Sequence, residues 1–229
     1  MPALNASKKG YIVGATQTTQ AAARDATTGA HNDTDFASQN NAIQWFRSSG
    51  RGGGTMRYVR TFLYFNTSGI TSTVSSATLV IKGAGAAGTN DDADVIGVKS
   101  TAFGGDGGTD LADDDFDNLD YSTAYTNELT SWNVSGDNTF TLTSDALNDI
   151  KNNNAFIIAL VEADSDYPDT DTSDDVFAAG INFSLAGNLS INYTLAPTGY
   201  GNNVIGVPSA NISTINAVAT ANIEKIINA

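Results

Sequence analysis

Short runs of apolar or alternating residues recur along this chain, and turn-forming residues separate them. Gly, Asn, Asp, Ser and Thr fill the intervals between the runs. This spacing is typical of an antiparallel sandwich or barrel, because each short strand must reverse before the next one can pair with it. The ten predicted strands cover residues 10–14, 41–48, 57–66, 76–83, 94–100, 129–134, 138–143, 155–163, 176–185 and 189–195.

The predicted strands are of two kinds. In the first kind apolar and polar residues alternate: Leu79 and Ile81 point to one face, and their neighbours point to the other. In the second kind, at residues 60–65 and 156–161, nearly every side chain is apolar. We therefore expect those two strands to lie centrally in a sheet, covered on both faces.

One short helix is predicted within "TSDALNDIKNN" (residues 143–153). Ser144 can cap its first amides, and Asp145 favours the positive end of the helix dipole. Ala146, Leu147 and Ile150 form an apolar stripe on one face. The sequence thus predicts an all-β chain in which one helix links the strand at 138–143 to the strand at 155–163.

Charge is distributed unevenly. The net charge is −14, but residues 1–82 carry eight Lys or Arg against three Asp, while residues 83–175 carry nineteen Asp and two Glu against two Lys. An acidic field of this size disfavours nucleic-acid binding, which needs a clustered basic face. The chain has no cysteine and no apolar run of about 18 residues, so we expect neither disulfides nor a membrane partner.

The stretch "RTFLYFNTSGITSTVSSATLVIKG" resembles the DNRLRE or disaggregatase-related family, a group of extracellular and viral β-sandwich domains close to carbohydrate-binding modules. The resemblance extends to "SWNVSG", "LNDIKNNNAFIIALVEADSD" and "LSINYTL", and it spans roughly residues 10–196, with Asn66 where the family pattern usually has Asp. It implies a jelly-roll-like sandwich, used either as a glycan-binding module or as a building block of surface and phage proteins. The residues that match are Arg60, Phe62, Leu63, Phe65, Ile70, Ser76, Ala77, Thr78 and Leu79.

The C-terminal segment is nearly uncharged and repeats. "SANISTINAVA" is followed by "TANIEKIINA", which resembles the reiterated "ANIxKINGVA" units that end many phage proteins, with Ala217 where Gly is usual. An eleven-residue period suits a helix with one apolar stripe, although short extended segments or a loose tail are alternatives. The apolar residues predicted to bind a partner are Val204, Val207, Ile212, Ile215, Val218, Ile223 and Ile226.

No catalytic site and no required cofactor are predicted. The chain has one histidine, no cysteine and no nucleophile motif on a strand-to-helix turn. His31 lies in a polar stretch, and we expect a plain surface role for it, with Asp33 or Asp35 as its candidate carboxylate partners.

Acidic clusters at 90–94, 110–120 and 164–175 are the candidate ion sites. Alternating Asp residues in an extended loop place oxygens on one side, and Ca²⁺ takes six to eight oxygen ligands. The spacing does not match an EF-hand loop, and solvated loop tips are the alternative interpretation. The candidate calcium ligands are Asp164, Asp166, Asp169 and Asp171.

Aromatic and arginine residues complete the candidates. Trp132 is predicted to be a core residue, and Arg57 and Arg60 are expected to pair with carboxylates at the strand edge. The candidates for exposed contacts with a sugar are Tyr121, Tyr125 and Tyr167.

The sequence therefore predicts an N-terminal arm (1–9), a jelly-roll-like antiparallel β-sandwich of about ten strands (10–196) and a C-terminal assembly segment (197–229). We expect a non-enzymatic phage virion structural protein, assembled in the host cytoplasm, with decoration of the capsid preferred. The expected partners are copies of itself, with a trimer favoured, and virion proteins such as the major capsid protein. The alternatives are a tail-fibre or receptor-binding protein and a glycan-binding module on an extracellular or cell-surface protein.

Overall fold

A computed structural model of the chain describes residues 2–33, 38–48, 54–85, 94–173, 176–183, 189–196, 214–215 and 218–219. The chain forms two compact units, Met1–Thr194 and Leu195–Ala229. Within the described ranges no helix is long and apolar enough to cross a membrane.

In the described part of the first unit, most of the regular secondary structure consists of β-strands. Two helices, α1 (Gln20–Arg24) and α2 (Ser144–Asn152), and two 3₁₀ turns, Phe103–Gly105 and Asp113–Asp117, interrupt them. The strands are β1 (Ala3–Asn5), β2 (Lys8–Gly14), β3 (Gly29–Asn32), β4 (Ser38–Arg47), β5 (Met56–Asn66), β6 (Val74–Lys82), β7 (Val95–Ser100), β8 (Leu119–Ala124), β9 (Asp137–Thr141), β10 (Ala155–Glu162), β11 (Val176–Asn182) and β12 (Leu189–Leu195).

These strands form two antiparallel sheets. The smaller sheet has the order β1-β12-β6-β9, and the larger has the order β11-β4-β5-β10-β7-β8, with β2 paired to β5 and β3 paired to β2. The predicted all-β sandwich is confirmed; the jelly-roll connectivity stays a prediction.

β5 and β10 are the central strands, as their two-sided apolar sequence predicted. β5 pairs with β4 over Met56–Val59 and with β10 over Thr61–Asn66, while β2 pairs with it over Val59–Tyr64. β10 lies between β5 and β7 and is buried from Phe156 onward. Both strands are therefore covered on their two faces.

Different parts of the chain pack against the two faces of β5. Leu63 and Phe65 belong to the buried cluster that also contains Leu79 and Ile81 of the smaller sheet. On the opposite face Arg60 is in contact with residues of α1, of the Asp113–Asp117 turn and of the loop after β10. These segments cover Arg60, which is fully buried.

α2 forms where it was predicted, and it connects β9 to β10. Its N-cap is Thr143 rather than Ser144, and the Thr143 hydroxyl accepts a hydrogen bond from the Ala146 amide. Ala146 and Ile150 are buried, as the apolar stripe predicted. The helix packs against β6 and β10.

Several local predictions differ from the structure. Residues 129–134 form no strand: Leu129 makes an isolated bridge to Val95, and the chain then bends. β1, β3, β8 and α1 were not predicted, because each is short and lacks a clear apolar period. Residues 3–9 are no separate arm, since β1 pairs with β12 and Lys8 and Lys9 begin β2.

The second unit contains a small antiparallel pair, β13 (Thr214–Ile215) and β14 (Val218–Ala219), in which Ile215 lies opposite Val218. The helical interpretation of the eleven-residue period is wrong for these four residues, and the extended alternative holds for them. Three of the four are β-branched, which favours strand over helix.

Candidate functional site

Arg60 is the centre of a buried polar network on the outer face of β5. Its guanidinium donates two hydrogen bonds to the Asp166 carboxylate, from Nε to Oδ2 at 2.9 Å and from Nη2 to Oδ1 at 2.7 Å. Both side chains are buried. The planar fork of arginine matches a carboxylate in this bidentate way, and a lysine could not replace it.

The remaining donors of Arg60 bind backbone. Nη1 donates to the carbonyl of Phe116 and Nη2 to the carbonyl of Arg24, both at 2.9 Å. The guanidinium carbon also lies 4.1 Å from the centre of the Phe116 ring, within cation–π range. One side chain thus ties β5 to the end of α1, to the turn at 113–117 and to the loop after β10.

Tyr121 completes the network from β8. Its hydroxyl donates to Asp166 Oδ1 at 3.0 Å. Burial and the nearby Asp166 carboxylate raise the pKa of Tyr121, so it stays a neutral donor. Burial, the largest single effect, would lower the pKa of Arg60, but the charge and hydrogen bonds of Asp166 act together with nearby acidic groups and raise it. The buried guanidinium of Arg60 therefore has a carboxylate within hydrogen-bond distance.

Arg24 holds the next part of the same loop. Its Nε donates to Asp169 and its Nη1 donates to Asp171, both at 2.9 Å, and Nη1 also donates to the Thr170 carbonyl. The arginine is buried while both carboxylates are largely exposed. Asp169 adopts a positive φ of 52°, which turns the chain so that both carboxylates can meet one guanidinium.

Glu162 fixes the beginning of the loop. Its carboxylate accepts backbone N–H groups from Asp164, Ser165 and Asp166. The Ser165 hydroxyl, which also donates to it, is 2.8 Å from the hydroxyl of Tyr58 on β5. Burial raises the pKa of Glu162, and these hydrogen bonds oppose that shift.

Three of the four candidate calcium ligands pair with arginines. Asp166 faces Arg60, and Asp169 and Asp171 face Arg24, while Asp164 is exposed. Across the described part of the chain no group of three or more His, Asp or Glu side chains is placed to hold a metal ion. The acidic loop is organised by arginines.

Aspartates of the acidic cluster at 110–120 also have hydrogen-bond partners within the protein. Asp115 is buried and accepts backbone hydrogen bonds from Phe103 and Ala112. Asp113 accepts the His31 backbone amide and lies 2.7 Å from His31 Nδ1. Among the described residues the carboxylate partner of His31 is thus Asp113 and not the neighbouring Asp33, and His31 lies in β3. The other predicted partner, Asp35, lies outside the described residues.

The aromatic candidates are mostly structural. Tyr125 is buried and stacks on Phe156 with ring centres 4.9 Å apart, and Tyr121 and Tyr167 are half-buried beside each other. Trp132 is half-buried, and its Nε1 donates to the Gly180 carbonyl. The expectation of exposed tyrosines is therefore wrong for Tyr125.

The sequence predicted that Arg57 and Arg60 of β5 pair with carboxylates at the edge of the strand, and the structure differs from this prediction. Arg60 has its carboxylate partner, but in the interior of the unit. The Arg57 guanidinium lies 5.1 Å from the centre of the Phe46 ring, and its buried Nε has no hydrogen-bond partner within the described residues.

A polar cleft of about 490 Å³ lies on another side of the same unit. One wall is the chain after β7, including Thr101, Gly105 and Asp106, and the other is Asn152–Asn154, which runs from the last residue of α2 to the start of β10. Lys99 and Asp149 lie between the walls, with Lys99 Nζ 2.9 Å from Asp149 Oδ2. This volume lies within the range of about 300–1,000 Å³ common for small-molecule sites.

Two groups of residues in these sites were not singled out from sequence. The first group is Arg24 and Glu162. Only Glu162 has a local sequence signal, and it is weak: a Glu that ends an apolar strand and is followed by Ser and Asp can accept hydrogen bonds from the amides of a turn. The run of three asparagines that begins with the last residue of α2 is a clearer pattern, because helices often end in Asn.

The residues predicted to bind a partner lie in the second unit. Ile215 and Val218 are paired in the β13–β14 ladder. The other five, Val204, Val207, Ile212, Ile223 and Ile226, lie outside the described residues.

Comparison with known proteins assigns the chain to no family. No protein-family model matches the chain, and the search of curated proteins gave no significant match.

Proposed function

We propose that this chain is a non-enzymatic structural protein of a bacteriophage particle, in which the sandwich is displayed on the capsid and the C-terminal segment mediates assembly. The observation that supports this most is the division of the chain at Thr194 and Leu195 into a well-packed sandwich and a second unit of different composition. From Thr198 to the last residue only Glu224 and Lys225 are ionised.

The physical argument concerns the apolar residues of that second unit. Ile212 recurs as Ile223, and Ile215 recurs as Ile226, eleven residues later. A segment of this length cannot bury a regular apolar series by itself, so copies of the chain or another virion protein would have to cover it. Three copies around one axis would do so with identical contacts.

The loop network of the sandwich fits a displayed role. Arg60 and Arg24 hold the loop after β10 through buried or half-buried hydrogen bonds, which limits the conformations of an otherwise acidic surface loop. Fixed loops resist proteolysis and keep a surface constant from copy to copy.

The test places charge in the apolar series of the full chain. The double variant Ile212→Asp/Ile223→Asp is expected to lower the mass measured by light scattering after size-exclusion chromatography, from an oligomer to a monomer. Asn211→Asp/Asn222→Asp is the matched control, because it adds the same charges at adjacent repeat positions outside the apolar series.

Circular dichroism would show that the sandwich is retained in both variants. If the Ile variant keeps the mass of the unmodified protein, or if the unmodified protein is itself a monomer, self-assembly through the segment is wrong, and only attachment to another virion protein would remain for it.

A further inference from the structure

The polar cleft marks the place where two paired strands of the larger sheet separate. The ladder between β7 and β10 ends at the pair of Lys99 and Ile158, although β10 begins three residues earlier, at Ala155. Past Lys99 the chain turns away from β10, and the Thr101 amide donates to the Asn118 carbonyl instead. The cleft is therefore a gap in the sheet beside the first residues of β10, and Ala155 is part of its lining.

The main chain of Ala155 is directed into the cleft. The Gly97 carbonyl of β7 accepts two amides from the chain that follows β8, so Gly97 faces away from β10. Its neighbour Val98 therefore faces β10, and the residue opposite it in the antiparallel ladder, Ala159, faces back. Residues two apart in a strand direct their N–H and C=O groups to the same side, and Ala155 lies four residues before Ala159.

This edge of β10 is open and already ordered. Within the described residues, the N–H and C=O groups of Ala155 have no main-chain partner on the cleft side. On its other side Ala155 is paired with Asn66 of β5. The Thr67 amide donates to the Asn154 carbonyl at 3.0 Å, and Thr67 Oγ1 donates to the Asn153 carbonyl at 2.6 Å. An unpaired strand edge is a template for another strand, and one that is held beforehand loses less entropy on binding.

The cleft has room for such a strand. Its volume is about 490 Å³. On one side the turn Phe103–Gly105 packs on β5, with the Phe103 ring centre 6.4 Å from that of Tyr64. On the other side α2 is anchored in the core by Ala146 and Ile150. An added strand would lie between the turn and the helix, where β7 would lie if it continued along β10.

The charges around the cleft favour a basic segment. Lys99 is already paired with Asp149, at 2.9 Å. Asp106 Oδ1 accepts the Gly108 amide at 2.7 Å, which orients the carboxylate, and no cation pairs with Asp106 among the described residues. The lining therefore carries one net negative charge, on a chain whose net charge is −14. This field repels an acidic segment and attracts a lysine or arginine side chain.

From these observations we propose that the cleft binds an extended basic segment of a partner protein by strand addition to β10. The segment exchanges main-chain hydrogen bonds with Ala155 and directs a lysine or arginine side chain at Asp106. The open edge selects a peptide over other polar ligands, because its donors and acceptors recur every two residues, about 6.8 Å, as they do in another strand. The residues of the cleft all belong to the first unit, so the site does not depend on the C-terminal segment.

The test uses the full chain and an array of blocked seven-residue peptides. Valine, threonine, tyrosine and serine vary at the flanking positions, and the central residue is lysine, glutamine or glutamate. Binding is expected to be strongest for lysine peptides and absent for glutamate peptides. The strongest binder is then titrated while NMR follows the backbone amide of Ala155, whose resonance is expected to shift and whose exchange with solvent is expected to slow.

Methylated peptides test the main-chain contact in the unmodified protein. N-methylation removes one main-chain donor of the peptide at a time. Because alternate residues of an added strand face β10, methylation at every second position is expected to abolish binding, while methylation at the positions between them is expected to leave it unchanged.

Two variants test the same contacts from the side of the protein. Ala155→Pro removes the amide that faces the cleft, at the first residue of a strand, where proline is tolerated. It is expected to weaken binding about fivefold. Asp106→Asn is expected to weaken binding of lysine peptides about two- to fivefold and to leave glutamine peptides unaffected. Asp164→Asn is the matched control, because Asp164 is an exposed carboxylate outside the cleft.

Four results would overturn the proposal: no binding of any peptide at millimolar concentration, equal binding of lysine and glutamate peptides, an unchanged Ala155 amide, or the same effect of N-methylation at every position. A lower mass of Ala155→Pro than of the unmodified protein in light scattering would assign the edge to a second copy of the chain instead. The C-terminal segment is unchanged in every variant, so failure here is distinct from failure of the assembly role.

Discussion

Asp166→Asn is expected to be among the most destabilising isosteric changes in the sandwich. The substitution keeps the shape of the side chain but removes its charge. It leaves the Arg60 guanidinium buried with two backbone carbonyls and no counter-ion. Because Asp166 also accepts the Tyr121 hydroxyl, one change disturbs three charge-assisted hydrogen bonds.

The magnitude follows from the burial of the pair. Removing one partner of a buried ion pair costs about 3–5 kcal/mol of unfolding free energy, because the other charge stays in a low-dielectric interior. Arg60 is fully buried and cannot reach water without moving the segments that cover it. For a chain of this size, each kcal/mol corresponds to roughly 2–4 °C in Tm, so a loss of about 6–20 °C is expected.

The assay is urea unfolding followed by tryptophan fluorescence. Trp45 is a suitable reporter because it is buried and stacks on Tyr58, which lies on the same face of β5 as Arg60. The control is Asp110→Asn, which removes an exposed carboxylate paired with Lys8 at 2.9 Å. Solvent screens that pair, so no measurable change is expected.

The double variant Arg60→Met/Asp166→Leu separates the cost of an unpaired charge from the cost of lost packing. It is expected to be more stable than Asp166→Asn, since no isolated charge remains. The reasoning would be refuted if Asp166→Asn lost less than about 1 kcal/mol, or if the double variant were the less stable of the two.

Two further predictions concern a glycine and a carboxylate. Gly107→Ala should cost about 1–3 kcal/mol in urea unfolding, because Gly107 has φ of 81° and a Cβ would lie 2.4 Å from the Tyr64 ring. Lys99 and a tyrosine hydroxyl lower the pKa of Asp149 against the opposing effect of burial. The stability that Asp149 contributes is therefore present above its ordinary pKa of 3.8 and is lost as pH falls below it. Asp149→Asn should lose less stability than the unmodified protein over that acid range.

Each of these has its own check. Gly69→Ala is the control for the glycine, since a Cβ there meets nothing within 4 Å, and an equal loss in both variants would contradict the steric argument. For the carboxylate, parallel acid-unfolding curves of variant and unmodified protein would show that Asp149 is not a source of the pH dependence.

The strands that could be predicted were those with a strong local pattern. β5 and β10 are apolar on both faces, and β6 alternates, with Leu79 and Ile81 buried. Hydrophobic periodicity is a property of neighbouring residues, so it can be recognised without knowing the fold. The short strands β1, β3 and β8 have too few residues for a period, and they form because longer strands offer them an edge.

The polar sites could not be predicted in the same way. The acidic loop at 164–175 was recognised as a candidate site, but alternating aspartates are equally consistent with a cation, with water and with arginine. Arg60 and Asp166 are 106 residues apart in sequence, and nothing local to either residue identifies the other. The cleft is likewise assembled from β7, α2 and β10.

By itself, the sequence determined the all-β class, the central strands, the helical crossover and the repetitive character of the C-terminal segment, because each is encoded in the order of adjacent residues. Only the tertiary structure decided that the aspartates at 166, 169 and 171 face Arg60 and Arg24, and that three asparagines form the wall of a cleft. The reason is physical: a buried charge must find its partner in space, and the packing of the two sheets and their loops decides which partner is near.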